Sequence, residues 1–280
     1  MGVAESMTQR QPPARGMYVL PSLFTAGNIA AGYYAIMQAI HGSALLDPAA
    51  FDRSALAILF AIVFDGLDGR IARMTNTQSA FGRELDSLAD VIAFGVAPSL
   101  LAYLWGVKHV VHSGYPLIEA RVLHFGLVIC FLFLICGACR LARFNVSVNP
   151  QPRNPGRPGR KYFVGMPIPA GAGCIAAVVH FEAGSPIYSV WMSALWMALI
   201  AFVGFLMVSS WRFWSGKEID MNSRRPARLL VLLVVLVGLV FEWSEKGLLV
   251  LAMGYLVSGV MARLAYSWQR RKERAAAGLR

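Results

Sequence analysis

Apolar residues run along this chain in long blocks, and the short polar stretches between the blocks hold most of its arginine. Runs able to cross a hydrocarbon core, about 20 residues each, fall at roughly 21–40, 54–73, 85–106, 122–144, 164–182, 187–210, 227–243 and 247–266. The pattern predicts an all-α fold, a polytopic membrane helical bundle of about eight transmembrane helices. Residues 1–16 read as a polar N-terminal tail. It holds Pro12 and Pro13 but no apolar stretch with a small-residue cleavage site, so no cleavable signal peptide is expected. Residues 17–210 would form a core of six helices, 211–267 two additional C-terminal transmembrane helices, and 268–280 a basic tail. The stretch QPRNPGRPGR at 151–160, rich in proline, glycine and arginine, reads as a loop.

Composition agrees with a membrane chain: 280 residues are 57% hydrophobic and only 15% charged. Charge adds an orientation. With the N-terminus inside, 22 of the 26 lysines and arginines fall on inside segments, leaving only Arg53, Lys108, Arg121 and Lys246 outside. Lysine and arginine accumulate on the cytoplasmic side, so both termini are expected in the cytoplasm, with the protein in the cell's inner membrane. The net charge of +11 does not imply a nucleic-acid partner, because the basic residues sit beside apolar helices, where topology and membrane lipids account for them.

Cys130, Cys136, Cys139 and Cys174 fall inside expected helices, where packing explains them better than disulfide or redox work. His109 and His112, three apart in an outside loop, have no carboxylate or cysteine beside them and read as solvated loop histidines.

The chemistry concentrates in FDGLDGRIARMTNTQSAFGRELDSLADVIAFG, residues 64–95. Asp65 and Asp68 stand i, i+3 on one helix, and Asp86 and Asp90 stand i, i+4 on the next, so each pair shares a face. A short connection makes the two helices antiparallel and turns both pairs into one cleft. A charge at a helix centre in the bilayer costs about 2.5–3.5 kcal/mol even on the lenient insertion scale, so four carboxylates need a positive partner. Arg70 and Arg73 could neutralise part of this charge. Two divalent cations would cancel all of it through the oxygen ligands that Mg2+ or Mn2+ prefers, and such a pair suits phosphoryl chemistry. Gly66, Gly69 and Gly82 leave room for a nucleotide against the backbone or for tight helix packing.

The spacing D-x-x-D-G-x-x-A-R-x8-G-x3-D-x3-D, from Asp65 through Asp90, resembles the signature of the CDP-alcohol phosphotransferases. The resemblance implies a cytoplasm-facing site in which Asp65, Asp68, Asp86 and Asp90 hold two ions, Mg2+ or Mn2+. It implies that Gly69, Ala72, Arg73 and Gly82 bind the CDP moiety, and that Asp90 is the general base. Outside the signature, YVLPSLFTAGN at 18–28, CRLARFN at 139–145 and YFVGMPIPAGAG at 162–173 are similar to the bacterial branch of the family that acts on serine. Ser22 departs from the asparagine expected in that opening. The resemblance implies CDP-diacylglycerol and L-serine as substrates, phosphatidylserine and CMP as products, and allows a homodimer.

Arg140 and Arg143, about one turn apart at the cytoplasmic end of the fourth expected helix, suit a carboxylate or a lipid phosphate. Asn145 and Lys161 are further contacts of that kind, and topological anchoring is the competing role for the arginines. Two other functions stay open at this point. One is a sister transferase using glycerol 3-phosphate, inositol or choline. The other is a divalent-cation carrier, which would have no use for the Ala-Arg and Gly positions of the signature.

Overall fold

The computed structural model describes residues 19–74, 80–110, 116–147, 152, 162–214 and 244–276, excluding the side chains of 19–22, 67–74, 80, 116, 244 and 273–276. In chain order the elements are α1 (Val19–Leu45), α2 (Pro48–Met74), α3 (Ala80–Asp90), a π-helical segment (Val91–Val96), α4 (Ala97–Gly106), α5 (Pro116–Val146), β1 (Tyr162–Val164), α6 (Ile168–Phe181), α7 (Val190–Val208), β2 (Arg212–Trp214) and α8 (Ser244–Ala276). The expected helix at 227–243 and the proline-rich stretch, apart from Pro152, lie outside the described residues.

The chain is a helical membrane protein. Among the described residues, Phe81–Gly106, Leu117–Val146, Val190–Val208 and Glu245–Lys272 are long and apolar enough to cross a bilayer. Their outer faces carry exposed Phe125, Phe131, Trp191, Leu195 and Leu251, as expected of helices surrounded by lipid. Against the expected count of about eight, four helices qualify among the described residues. Helix α6 is only 14 residues long, while α1 carries Thr25, Asn28 and Gln38 and α2 carries Asp52, Arg53 and Asp65 within otherwise apolar runs.

The all-α expectation needs one correction. β1 and β2 pair antiparallel in the register Tyr162↔Trp214, Phe163↔Phe213 and Val164↔Arg212. The helix expected from 164 therefore starts at Ile168. Pro167 caps it with an extended ψ of 145°, and Gly165 precedes it at φ +77°, a left-handed conformation that glycine adopts without penalty.

Helices α1 and α2 form an antiparallel hairpin. Leu46 reverses the chain at φ 54°. The Asp47 carboxylate then accepts the Ala49 N–H at 3.0 Å and pairs with Arg53 at 3.2 Å, capping α2 just ahead of Pro48. Lower in the hairpin the Ser54 hydroxyl donates to the Ala35 carbonyl at 2.7 Å. Helix α1 also packs on α3, the π segment and α4; α2 packs on α6, α5 on α7, and α6 on α8. Outside the site, His109 is half-buried against the Phe51 ring at 6.2 Å rather than solvated. Burial, with Lys108 beside it, holds its pKa below the usual histidine value.

Candidate active site

Helices α2 and α3 run antiparallel, and one carboxylate oxygen each of Asp65, Asp86 and Asp90 lies within 4.8 Å of the others. The i, i+4 spacing on α3 turns Asp86 and Asp90 to the same side, and Asp65 meets them from α2. Asp90 is buried and the other two are partly so. The Asp86 Oδ1 is shielded from solvent and has no hydrogen-bond partner among the described residues. A buried acceptor left in that state costs about 1–3 kcal/mol, and three converging carboxylates add mutual repulsion. An oxygen-liganded divalent cation satisfies both conditions, so this donor set fits Mg2+ or Mn2+.

Directly after Asp90 the helix widens into the π segment, whose Ala93, Phe94 and Gly95 are buried. A π-bulge adds a residue to a turn, rotating the following face by about 100°. That rotation lets α3 present its acidic face to the site while α4 buries Leu101, Ala102 and Trp105 in the core.

The other expected site residues divide. Asp68, Gly69, Ala72 and Arg73 belong to the last two turns of α2, with side chains outside the described ones, and Lys161 lies outside the described residues. Gly82 is on the first turn of α3. On α5, Asn145 Nδ2 donates to Ser87 Oγ at 2.9 Å, tying the end of α5 to the residue that follows Asp86.

The two arginines of α5 differ sharply. Arg140 is buried, with its guanidinium 5.2 Å from the Phe144 ring centroid and 5.7 Å from that of Phe163. Asp90 and the phenol of Tyr255 on α8 are within its electrostatic reach. Arg143 instead donates to four carbonyl oxygens: Val208 at 2.9 Å, Val164 and Ser209 at 3.2 Å, and Met207 at 3.5 Å. It closes the C-terminal end of α7, whose last carbonyls have no partner within the helix, and joins that end to β1. A side chain at Gly165 would collide with this junction, its Cβ lying 2.4 Å from the Met207 carbonyl oxygen.

Sequence reasoning did not single out several parts of this neighbourhood. Phe163 covers Arg140 only because β1 pairs with β2. Tyr255 arrives from α8, where its hydroxyl donates to the Trp214 carbonyl at 3.1 Å and its ring lies 5.7 Å from that of Phe213. Neither contact has a local signal in the chain. Asn28, fully buried on α1, did have one, since it ends the stretch YVLPSLFTAGN. Between α1 and α2 runs an apolar groove of about 560 Å³ lined by Gly27, Ala31, Leu56, Ala57, Phe60 and Phe64 among others. Arg53 is among its lining residues, and Phe64 directly precedes Asp65 in the chain.

Three acidic side chains meeting on two antiparallel helices of a membrane protein make a candidate site for a divalent cation. In agreement with this, the family model described as CDP-alcohol phosphatidyltransferase matches residues 18–203, and the chain belongs to that family. Its relatives narrow the comparison. A CDP-diacylglycerol–serine O-phosphatidyltransferase of Helicobacter pylori is 36% identical over 255 residues, covering 89% of this chain and 92% of the relative. A protein of the same name from Mycobacterium bovis is 32% identical over 226 residues, 78% of this chain and 69% of the relative. An archaetidylserine synthase of Methanothermobacter thermautotrophicus is 34% identical over 160 residues, 56% of each chain.

Proposed function

We propose that this chain transfers the phosphatidyl group of CDP-diacylglycerol to L-serine, releasing phosphatidylserine and CMP. The observation that carries the reading is the meeting of Asp65, Asp86 and Asp90 within 4.8 Å of one another, in a chain that covers nearly the whole length of relatives bearing that activity in their names. Asp65, Asp68, Asp86 and Asp90 would hold two ions, Mg2+ or Mn2+. When bound, divalent cations supply Lewis-acid charge to a pyrophosphate and its departing oxygen. Gly69, Ala72, Arg73 and Gly82 bind the CDP moiety, and the α1–α2 groove takes apolar tail.

Asp90 accepts the serine hydroxyl proton as the oxygen attacks the phosphorus that bears diacylglycerol. The bond to the CMP oxygen breaks, and CMP leaves. Arg140, beside Asp90, pairs with the serine carboxylate, whereas Arg143 and Asn145 hold the elements that frame it. Arg140, a buried cation beside the proposed base, disfavours inositol and choline, which carry no anion, and between serine and glycerol 3-phosphate the names of the relatives favour serine. The Ala-Arg and Gly positions of the signature, for which ion passage has no use, and the family match over residues 18–203 disfavour a cation carrier.

Purified protein given CDP-diacylglycerol and a panel of serine, glycerol 3-phosphate, inositol and choline should release CMP with serine only. A chelator should abolish that release, and added Mg2+ or Mn2+ should restore it. CMP release with another alcohol and not serine would overturn the acceptor; full activity in chelator would overturn the metals.

The full architecture belongs to the same proposal: about eight crossings, a six-helix core at 17–210 followed by two more helices at 211–267, both termini and the site on the cytoplasmic face of the inner membrane, and a homodimer as an allowed assembly. The 22 to 4 division of basic residues supports the orientation. A single cysteine placed at position 155 in a cysteine-free background should react with an impermeant thiol reagent in inside-out vesicles and stay unlabelled in intact cells. Labelling in intact cells would invert the topology.

A further inference from the structure

One face of α1 is packed along its whole described length. Thr25, Asn28, Gly32, Ala35 and Ala39 are all buried, and their spacing makes a single stripe. Toward the outer end the stripe consists of glycine and alanine, which allow close helix approach. At Asn28 and Thr25 it becomes polar.

Two close approaches set the height of this change. A Cβ on Gly27 would lie 3.0 Å from the Phe64 ring, so this turn of α1 is level with the residue before Asp65. A Cβ on Gly32 would lie 2.8 Å from the Ala93 Cα. Helices α1 and α3 run in the same direction, since each is antiparallel to α2. Asn28 is four residues before Gly32 and Asp90 three before Ala93, displacements of about 6 and 4.5 Å at 1.5 Å per residue. Asn28 therefore sits at the level of Asp65 and Asp90.

Its amide is fully buried, and neither Nδ2 nor Oδ1 has a hydrogen-bond partner among the described residues. Buried side-chain amides are almost always hydrogen-bonded, and this one leaves both a donor and an acceptor open at the height of the carboxylates. We infer that Asn28 is a substrate-contacting residue whose amide hydrogen-bonds the polar groups of the acceptor alcohol opposite Arg140. A neutral group with one donor face and one acceptor face complements a zwitterionic amino acid, whose carboxylate Arg140 would hold and whose ammonium would seek the Asn28 Oδ1. The inference rests on the proposed reading that the acceptor is serine.

The test compares Asn28→Leu and Asn28→Ala with the wild-type protein. A group kept for a ligand carries a stability cost in the free enzyme, and an apolar residue of similar size removes that cost. Asn28→Leu should therefore melt higher than wild type without substrate, by roughly 2 °C or more. Its apparent KM for serine should rise tenfold or more while the KM for CDP-diacylglycerol stays within twofold; Asn28→Ala should show the same split in KM. Wild-type activity in both variants would overturn the inference, as would a lower Tm for Asn28→Leu or equal losses for both substrates, because Asn28 would then be a packing residue. Failure of the underlying reading is seen separately, in the wild-type enzyme not accepting serine.

Discussion

Replacing Asp86 with asparagine is expected to reduce CMP release to less than about a thousandth of the wild-type rate, the scale on which charge-stabilising and proton-transferring groups act in such sites. Asn has the shape of Asp but one acceptor oxygen fewer and no charge, so a cation among Asp65, Asp86 and Asp90 would lose a ligand without any change in packing. Thermal stability should move the other way. The three carboxylates lie within 4.8 Å of one another, and neutralising one relieves repulsion in a partly buried place. In chelator, the Asp86→Asn variant should therefore melt at or above the wild-type Tm. Asp65→Asn should behave alike. Measured by CMP release and by melting in detergent, an active Asp86→Asn variant would remove the metal site, and an inactive one that no longer folds would assign Asp86 to the fold.

The second large effect is expected at Arg140. Lysine keeps the charge but loses the planar fork that grips a carboxylate with two bonds. Arg140→Lys should raise the apparent serine KM about ten to a hundredfold, the equivalent of roughly 1.5–3 kcal/mol for a charged hydrogen bond. The KM for CDP-diacylglycerol should hardly change, since a contact to one substrate does not weaken the other. Arg143→Lys provides the contrast. Its four carbonyl contacts join α7 to β1, so this variant should melt lower and lose activity toward both substrates together. A serine-selective defect in Arg143→Lys with none in Arg140→Lys would reverse the roles given to the two residues.

Local periodicity explains most of what could be read from the chain before its fold was known. Apolar blocks of about 20 residues announce membrane helices because the bilayer leaves the backbone few alternatives. Aspartates at i, i+3 and i, i+4 announce a shared face because the helix repeat is fixed. The pairing of Asp86 with Asp90 and the helices at 116–146 and 190–208 were legible for these reasons. The ribbon of β1 and β2 was not, since three-residue strands 50 positions apart leave no periodic trace. The π segment escaped for a related reason, its residues being as apolar as those of an ordinary helix.

The class of fold, the concentration of aspartates at 65–90 and the family are legible in the chain itself, because all of them are written in spacings of a few residues. Only the tertiary structure separated Arg140, buried between two aromatic rings near Asp90, from Arg143, three residues away and bonded to the end of α7. Both arginines look equally suited to an anion in the chain, because what distinguishes them is the set of partners brought by α7, β1 and α8 from as far as a hundred residues away. Asn28 shows the same limit: an asparagine in an apolar helix becomes informative only once packing has buried its amide, with no partner among the described residues, at the height of the aspartates.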